Sequence, residues 1–314
     1  MLSRRLLRVK VLQMAYAYSK RGDASIQEME KELFHSISKS YELYHLILML
    51  LTELHHYAEL RIEKGKNKKV PSPQDLNPNT RFIDNAVLKQ LIENPVRVKY
   101  QETTGLSWSN HPEIIKGIFS KIIDSDMYND YMVAKDYSYD YQKRFIVKLT
   151  EKVIAQHEPL YTALEEQSIF WNDECEFIVS MVIKTLKEFS EEKGSEQDLQ
   201  KEFKDEDDKE FVKTLFRKTL LNQKEFTELI KTFAQNWDLE RVAFMDIVLM
   251  QIALAEIQEF PNIPIKVSLN EYIEIAKHYS TPKSGLFING ILDKITNHLK
   301  EEGKIKKQGR GLIE

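Results

Sequence analysis

The sequence predicts an all-α protein, and three observations carry that expectation. Glycine and proline are scarce, 10 and 9 in 314 residues, so long stretches run without helix breakers. Apolar residues recur at three- and four-residue spacing, not in alternation. The last third holds three consecutive apolar stretches, each with its own start and stop chemistry.

Taken in order, residues 3–18 (SRRLLRVKVLQMAYAY) read as one amphipathic helix with Leu7, Val11, Met14 and Tyr18 facing a core. Arg4, Arg5 and Arg8 cluster beside that stripe. Like charges at this spacing repel slightly, so helix stability does not explain them, whereas a solvated face would. Tyr16 lies three turns beyond Arg5 on the same side. From Gln27 to about Glu63 a long helical pattern follows, with Leu43, Ile47, Leu50, Leu51 and Leu54 on its buried side. His55 and His56 point about 100° apart on such a helix and read as surface histidines, not a metal pair. Residues 64–80 (KGKNKKVPSPQDLNPNT) read as a basic, proline-bearing linker. Helices are expected over Ile83–Ile92 and over Pro112–Tyr131, the latter capped by Asn110. Asp136–Tyr141 is a tyrosine-rich connection.

A weak repeat follows. Phe145, Leu149, Lys152, Trp171, Glu174 and Val182 each match an identical residue 66 positions later: Phe211, Leu215, Lys218, Trp237, Glu240 and Val248. The repeat would make the middle a degenerate copy of 209–258. Residues 191–210 are polar and read as a flexible boundary. The helix over 239–259, with Asp238 as a cap, is too broadly apolar for a surface helix and must be covered on several sides. Pro261 and Pro264 end it. A second helix opens at Ser268 with Glu271 in capping-box spacing, and a third begins at Thr281-Pro282. Asn289-Gly290 inside that third helix reads either as a close helix–helix contact or as a surface where a partner backbone comes near.

The net charge of −4 and pI near 6.1 exclude a generally basic nucleic-acid binder, so any RNA contact must be a local patch. The single cysteine, Cys175, excludes a disulfide framework. The longest apolar run, Leu46–Leu51, cannot span a bilayer, and no secretory leader is evident; a cytoplasmic protein without membrane contact is expected. No glycine-rich phosphate loop, nucleophile elbow or H-E-x-x-H motif occurs, so no enzyme, cofactor or metal is expected.

One resemblance adds to this reading. P-I-K-V-S-L-N-E-Y-I-E-I-A-K-H-Y from Pro264, then S-G-L-F-I-N-G-I-L-D-K-I from Ser284, resembles the C-terminal signature of the NusB transcription antitermination family. D-I-V-L-M-Q-I-A-L-A-E-I, containing Asp246 and Glu256, and the arginine-rich start R-R-L-L-R-V-K-V-L-Q-M-A-Y resemble it too. The resemblance covers about the last third of the chain plus its first twenty residues. It implies a helical core built from residues 1–22 and 205–302, an inserted helical region at 23–204, and a flexible tail at 303–314. It also implies a non-enzymatic factor binding boxA-type RNA of ribosomal RNA transcripts with the ribosomal protein NusE, within an RNA polymerase antitermination complex. Arg4, Arg5, Arg8, Gln13, Tyr16, Lys283, Phe287 and Asn289 would form the RNA face, and Glu256 the partner face. Ala255, Gln251 and Leu286 depart from the family's tyrosine, arginine and lysine. Two alternatives stand beside this: a helical scaffold that has lost RNA binding, and an accessory domain of an RNA-modifying system.

Overall fold

The residues that start and stop helices decide where this chain turns. The computed structural model describes residues 3–234 and 242–312, and among them finds fifteen α-helices and no strand. Ser3 accepts from the Leu6 N–H and opens α1 (Arg4–Arg21), which Gly22 closes in a left-handed conformation. Ser25 and Glu28 form a reciprocal cap at the start of α2 (Ile26–Lys66). Helices α3 (Pro73–Leu76), α4 (Ala86–Glu93), α5 (Pro95–Thr104), α6 (Pro112–Ile123), α7 (Asp126–Val133), α8 (Tyr139–Leu149), α9 (Glu158–Gln167) and α10 (Cys175–Glu188) follow. The last five are α11 (Glu206–Leu221), α12 (Gln223–Phe233), α13 (Phe244–Glu259), α14 (Ile265–Tyr279) and α15 (Ser284–Glu301). No described helix is long and apolar enough to cross a membrane.

Two units emerge, and the division falls inside α2. Residues 38–201 form one, and residues 2–37 together with 202–314 form the other. In the first, α8 packs against α4 and α10, and a π-helical turn at Thr150–Ile154 packs against α6. Its centre also holds a polar curiosity: His45 is fully buried on α2, stacked on Tyr100 at 3.8 Å and met edge-on by Tyr41 at 4.7 Å. Neither ring nitrogen has a hydrogen-bond partner among the described residues. Burial holds its pKa down at about 4, with the Arg97 charge adding to the effect.

Several details of this unit differ from the sequence expectation. The single helix expected over Pro112–Tyr131 is two, because Ser125 accepts from the Tyr128 N–H and starts a new helix. Asn110 caps nothing; His111 stands at the cap position without a side-chain bond. The supposed linker contains α3, held by a Ser72–Asp75 capping box with Lys68 on Asp75. His55 is not a surface residue: it is buried, its Nε2 lies 2.8 Å from the Ile83 carbonyl, and Glu59 one turn on faces its Nδ1. His56 is exposed. The tyrosine-rich connection wraps Arg81, whose guanidinium lies 4.7 Å from the Tyr137 ring and 4.9 Å from that of Tyr131. Segment 191–201 is tied down as well, since Asn94 donates to the Ser195 and Gln197 carbonyls.

In the second unit α13 is the central helix. Every residue from Val248 to Ile257 is buried, and α11, α12, α14, α15 and α1 all pack against it. Helix α1 packs against both α11 and α13, and its Leu7, Val11 and Met14 are buried. Helix α14 begins three residues before the expected capping box, directly after Pro264. Ser268 is therefore inside the helix and buried, and its hydroxyl turns to Glu256. Helix α15 starts at Ser284, whose hydroxyl receives the Thr281 N–H. Among the described residues nothing lies near the place where a Cβ on Gly290 would stand, so no internal helix contact explains this glycine. Asp238, Trp237 and Glu240 lie outside the described residues.

Candidate nucleic-acid interface

Helix α1 delivers its three arginines to three carboxylates on three other helices. Arg4 donates from Nε to Asp208 of α11 at 2.8 Å. Arg5 grips Glu271 of α14 with two hydrogen bonds of 2.8 and 2.7 Å. Arg8 grips Glu256 of α13 with bonds of 2.7 and 2.8 Å. Glu256 also accepts from Ser268 and Tyr272, at 2.7 and 2.8 Å. Its carboxylate thus takes four hydrogen bonds and ties α1, α13 and α14 together.

Burial separates these arginines into two kinds. The Arg4 and Arg5 side chains are 44% and 54% exposed, whereas Arg8 is 4% and Glu256 0% exposed. An exposed pair is worth about 0–1 kcal/mol and is easily exchanged for another anion. Opening a buried pair strands a charge and costs about 3–5 kcal/mol. Arg4 and Arg5 can therefore turn to a phosphate, and Arg8 cannot. Arg8 is a structural arginine, and its pKa is raised: the Glu256 bonds outweigh the burial that alone would lower it. Glu271, hydrogen-bonded by Arg5 and 3.5 Å from Arg8, is held below the usual carboxylate range. Burial, reinforced by the Glu256 charge, raises the Tyr272 hydroxyl well above its ordinary value. Being wholly enclosed, Glu256 offers no face to a partner; its charge is spent on Arg8.

Tyr16 sits at the far end of α1, about 18 Å from Arg4 at 1.5 Å per residue. Its ring meets Phe244, the first residue of α13, edge-on with centroids 5.4 Å apart. Lys20, one turn on, holds its ammonium 4.1 Å from the Phe244 centroid and 5.5 Å from that of Tyr16. Both rings are half-buried and Lys20 is exposed, so a cation and two partly open aromatic rings meet near the surface. Lys20 and Phe244 were missed in the sequence; the i, i+4 spacing of Tyr16 and Lys20 was the available signal.

Lys283 reaches the same end of the bundle by another route. Asp246, half a turn into α13 from Phe244, accepts from the hydroxyls of Ser280 and Ser284, the latter at 2.8 Å. That bond fixes the start of α15 and leaves Lys283 exposed beside it. Asn289 is exposed as well, and Gln13 is half-buried. Phe287 is not part of the surface. At 6% exposure it is buried, as are Ile288 and Ile291, while Leu286, at 84%, takes the outward position. The arrangement can offer aromatic faces to an unstacked base and lysine and arginine charges to phosphates.

Comparison with known proteins gives a consistent family. Residues 174–297 match the NusB family model. The transcription antitermination protein NusB of Salinibacter ruber is 46% identical over 105 residues, covering 33% of this chain and 66% of the relative. That of Chloroherpeton thalassium is 44% identical over 106 residues, covering 34% of this chain and 50% of the relative. A third, from Natranaerobius thermophilus, is 38% identical over 90 residues, covering 29% and 65%. The chain thus spans from half to just under two thirds of the length of these relatives. No solved structure matches.

Proposed function

From the premise that residues 174–297 are a NusB-family domain, we propose that the chain is a non-enzymatic, RNA-binding transcription antitermination factor. Its RNA is single-stranded and boxA-like, and its protein partner is NusE, as the resemblance implies. The observation that carries the reading is the meeting of Lys20 with the Tyr16 and Phe244 rings at a half-open end of the bundle. An aromatic pair with a cation above it suits a base and its phosphate. Lys283 and Asn289 extend this face along α15, and Arg4 and Arg5 along α1. Arg8 and Phe287 support it from behind, and Gln13 lies between the two ends.

The test is a salt titration of single-stranded RNA binding by the full chain. Lys20→Gln/Lys283→Gln should shrink the salt slope by roughly 0.7 for each phosphate that no longer meets a lysine. Tyr16→Ala should weaken binding by about 1–3 kcal/mol with little change in slope. A second reading, a helical protein-binding scaffold without RNA contact, is favoured by the capture of all three arginines by carboxylates. Wild-type protein with no salt-dependent RNA affinity decides for the scaffold.

A further inference from the structure

The described part of the expected flexible tail, residues 303–312, forms a strap. Gln308 donates its N–H to the Pro261 carbonyl at 3.0 Å, and Lys307 donates from Nζ to the Phe260 carbonyl at 3.0 Å. A short 3-10 turn at Gly309–Leu312 presses Gly311 onto Pro261. A Cβ on Gly311 would stand 1.8 Å from the Pro261 oxygen, so only glycine permits this seat. Between the strap, the start of α14 and the outer face of α15 lies an open slot of about 600 Å³. That volume is in the range of small-molecule and cofactor sites.

The chemistry of the slot is mixed in a particular way. Ile265, Leu269, Ile305 and Leu312 give it aliphatic walls. Lys266, Lys300, Lys306 and Lys307 stand around it against the single lining carboxylate of Asp293, in a chain whose net charge is −4. Asn297 and Asp293 add hydrogen-bonding groups, and the buried Thr296 hydroxyl has no partner among the described residues. Burial pushes the Lys307 ammonium down to about 8, which the Glu256 charge only partly opposes. A cation half removed from water gains most from an anion brought beside it.

We propose that this slot seats one nucleotide of single-stranded RNA, the base against the aliphatic walls and the phosphate at Lys266 and Lys306. A bare phosphate would make no use of the walls. A nucleotide uses both the walls and the lysines, and its base edge can meet Asp293 and Asn297. The local excess of lysines in an acidic protein favours RNA over an acidic peptide, because RNA brings a charge with every unit. The inference rests on the RNA-binding reading for the source of the nucleotide, and it adds a contact distinct from the Tyr16–Phe244 end.

The experiment uses the full chain, with short single-stranded RNA carrying 4-thiouridine, a free mononucleotide and an acidic peptide as probes. Lys266→Glu/Lys306→Glu changes two exposed side chains, so an unchanged circular dichroism spectrum and melting curve are the fold control. Photo-crosslinks are expected within 265–269 or 305–312. The double reversal should weaken RNA binding roughly tenfold at low salt and flatten the salt slope by about 1.4. Wild-type RNA binding that the reversal leaves unchanged, with no crosslink in those segments, overturns the slot and leaves the RNA reading standing. Wild-type protein that binds no RNA overturns both. A free mononucleotide bound as tightly as the RNA, or an acidic peptide whose binding alone the reversal abolishes, overturns the assignment to RNA.

Discussion

At the scale of single residues, exposure decides what a charge can do. Arg8→Gln leaves the Glu256 carboxylate enclosed without its cation, and a loss of about 3–5 kcal/mol should appear in urea melts. Arg5→Gln should cost less than about 1 kcal/mol in the same measurement, because Glu271 keeps Arg8 at 3.5 Å. Had the two arginines equal roles at the surface, the two variants would melt alike. His45 gives a pH prediction. Its folded pKa of about 4 lies below the ordinary value near 6.5, so between these the unfolded chain binds the extra proton. Stability of the 38–201 unit should therefore fall as pH drops from about 6.5 to 4, by on the order of 2–3 kcal/mol. His45→Phe should flatten that slope in acid melts. The three arginines were legible in the sequence as a cluster, but their division was not. Which of them is enclosed depends on Glu256 and Tyr272, more than 240 residues away.

At the scale of elements, periodicity exposed the helices and tertiary partners moved their ends. Ser268 and Glu271 have capping-box spacing, yet each is taken by a more distant partner, Glu256 and Arg5 respectively. The helix then starts at the residue after Pro264, where a missing N–H costs nothing. Ser125 and Asn94, short polar residues that interrupt apolar runs, mark breaks that a smooth hydrophobic pattern conceals. The 66-residue offset acquires an elemental counterpart: α8 together with the π-helical turn after it, α9 and α10, shifted by that number, fall on α11, α12 and the first two-thirds of α13 to within three residues. Trp171 is buried with its indole N–H on the Lys39 carbonyl, while its counterpart Trp237 lies outside the described residues. The strap was hidden because its seat depends on one glycine meeting a carbonyl fifty residues earlier. Gly311→Ala should release it: hydrogen exchange at the Gln308 amide, which is bonded to the Pro261 carbonyl, should accelerate at least tenfold, with the main melting transition unmoved. Exchange as slow as wild type would mean that the strap tolerates the side chain.

At the scale of the whole chain, the sequence led to the expectation of an inserted region at 23–204, whereas the structure cuts inside α2, at Ile37/Ser38, and again at 201/202. A continuous helix shows no break in composition where its allegiance changes, so that boundary was illegible. The second unit is closed by α1, whose Leu6, Leu7, Val11, Leu12 and Met14 are all buried. Deleting residues 1–21 should uncover the facing sides of α11 and α13, giving strong ANS fluorescence and loss of the near-ultraviolet signal. A deletion variant with a wild-type melt would show that α1 is dispensable to the core. This arrangement also has a consequence in time. Helix α1 leaves the ribosome well ahead of α13, the helix that covers it, which ends 238 residues after Arg21. At about 5–20 residues per second, the apolar face of α1 waits on the order of 10–50 seconds for its partner. Through that interval the nascent chain carries a bare Leu-Val-Met stripe beside three arginines, the kind of surface a chaperone at the exit tunnel would hold.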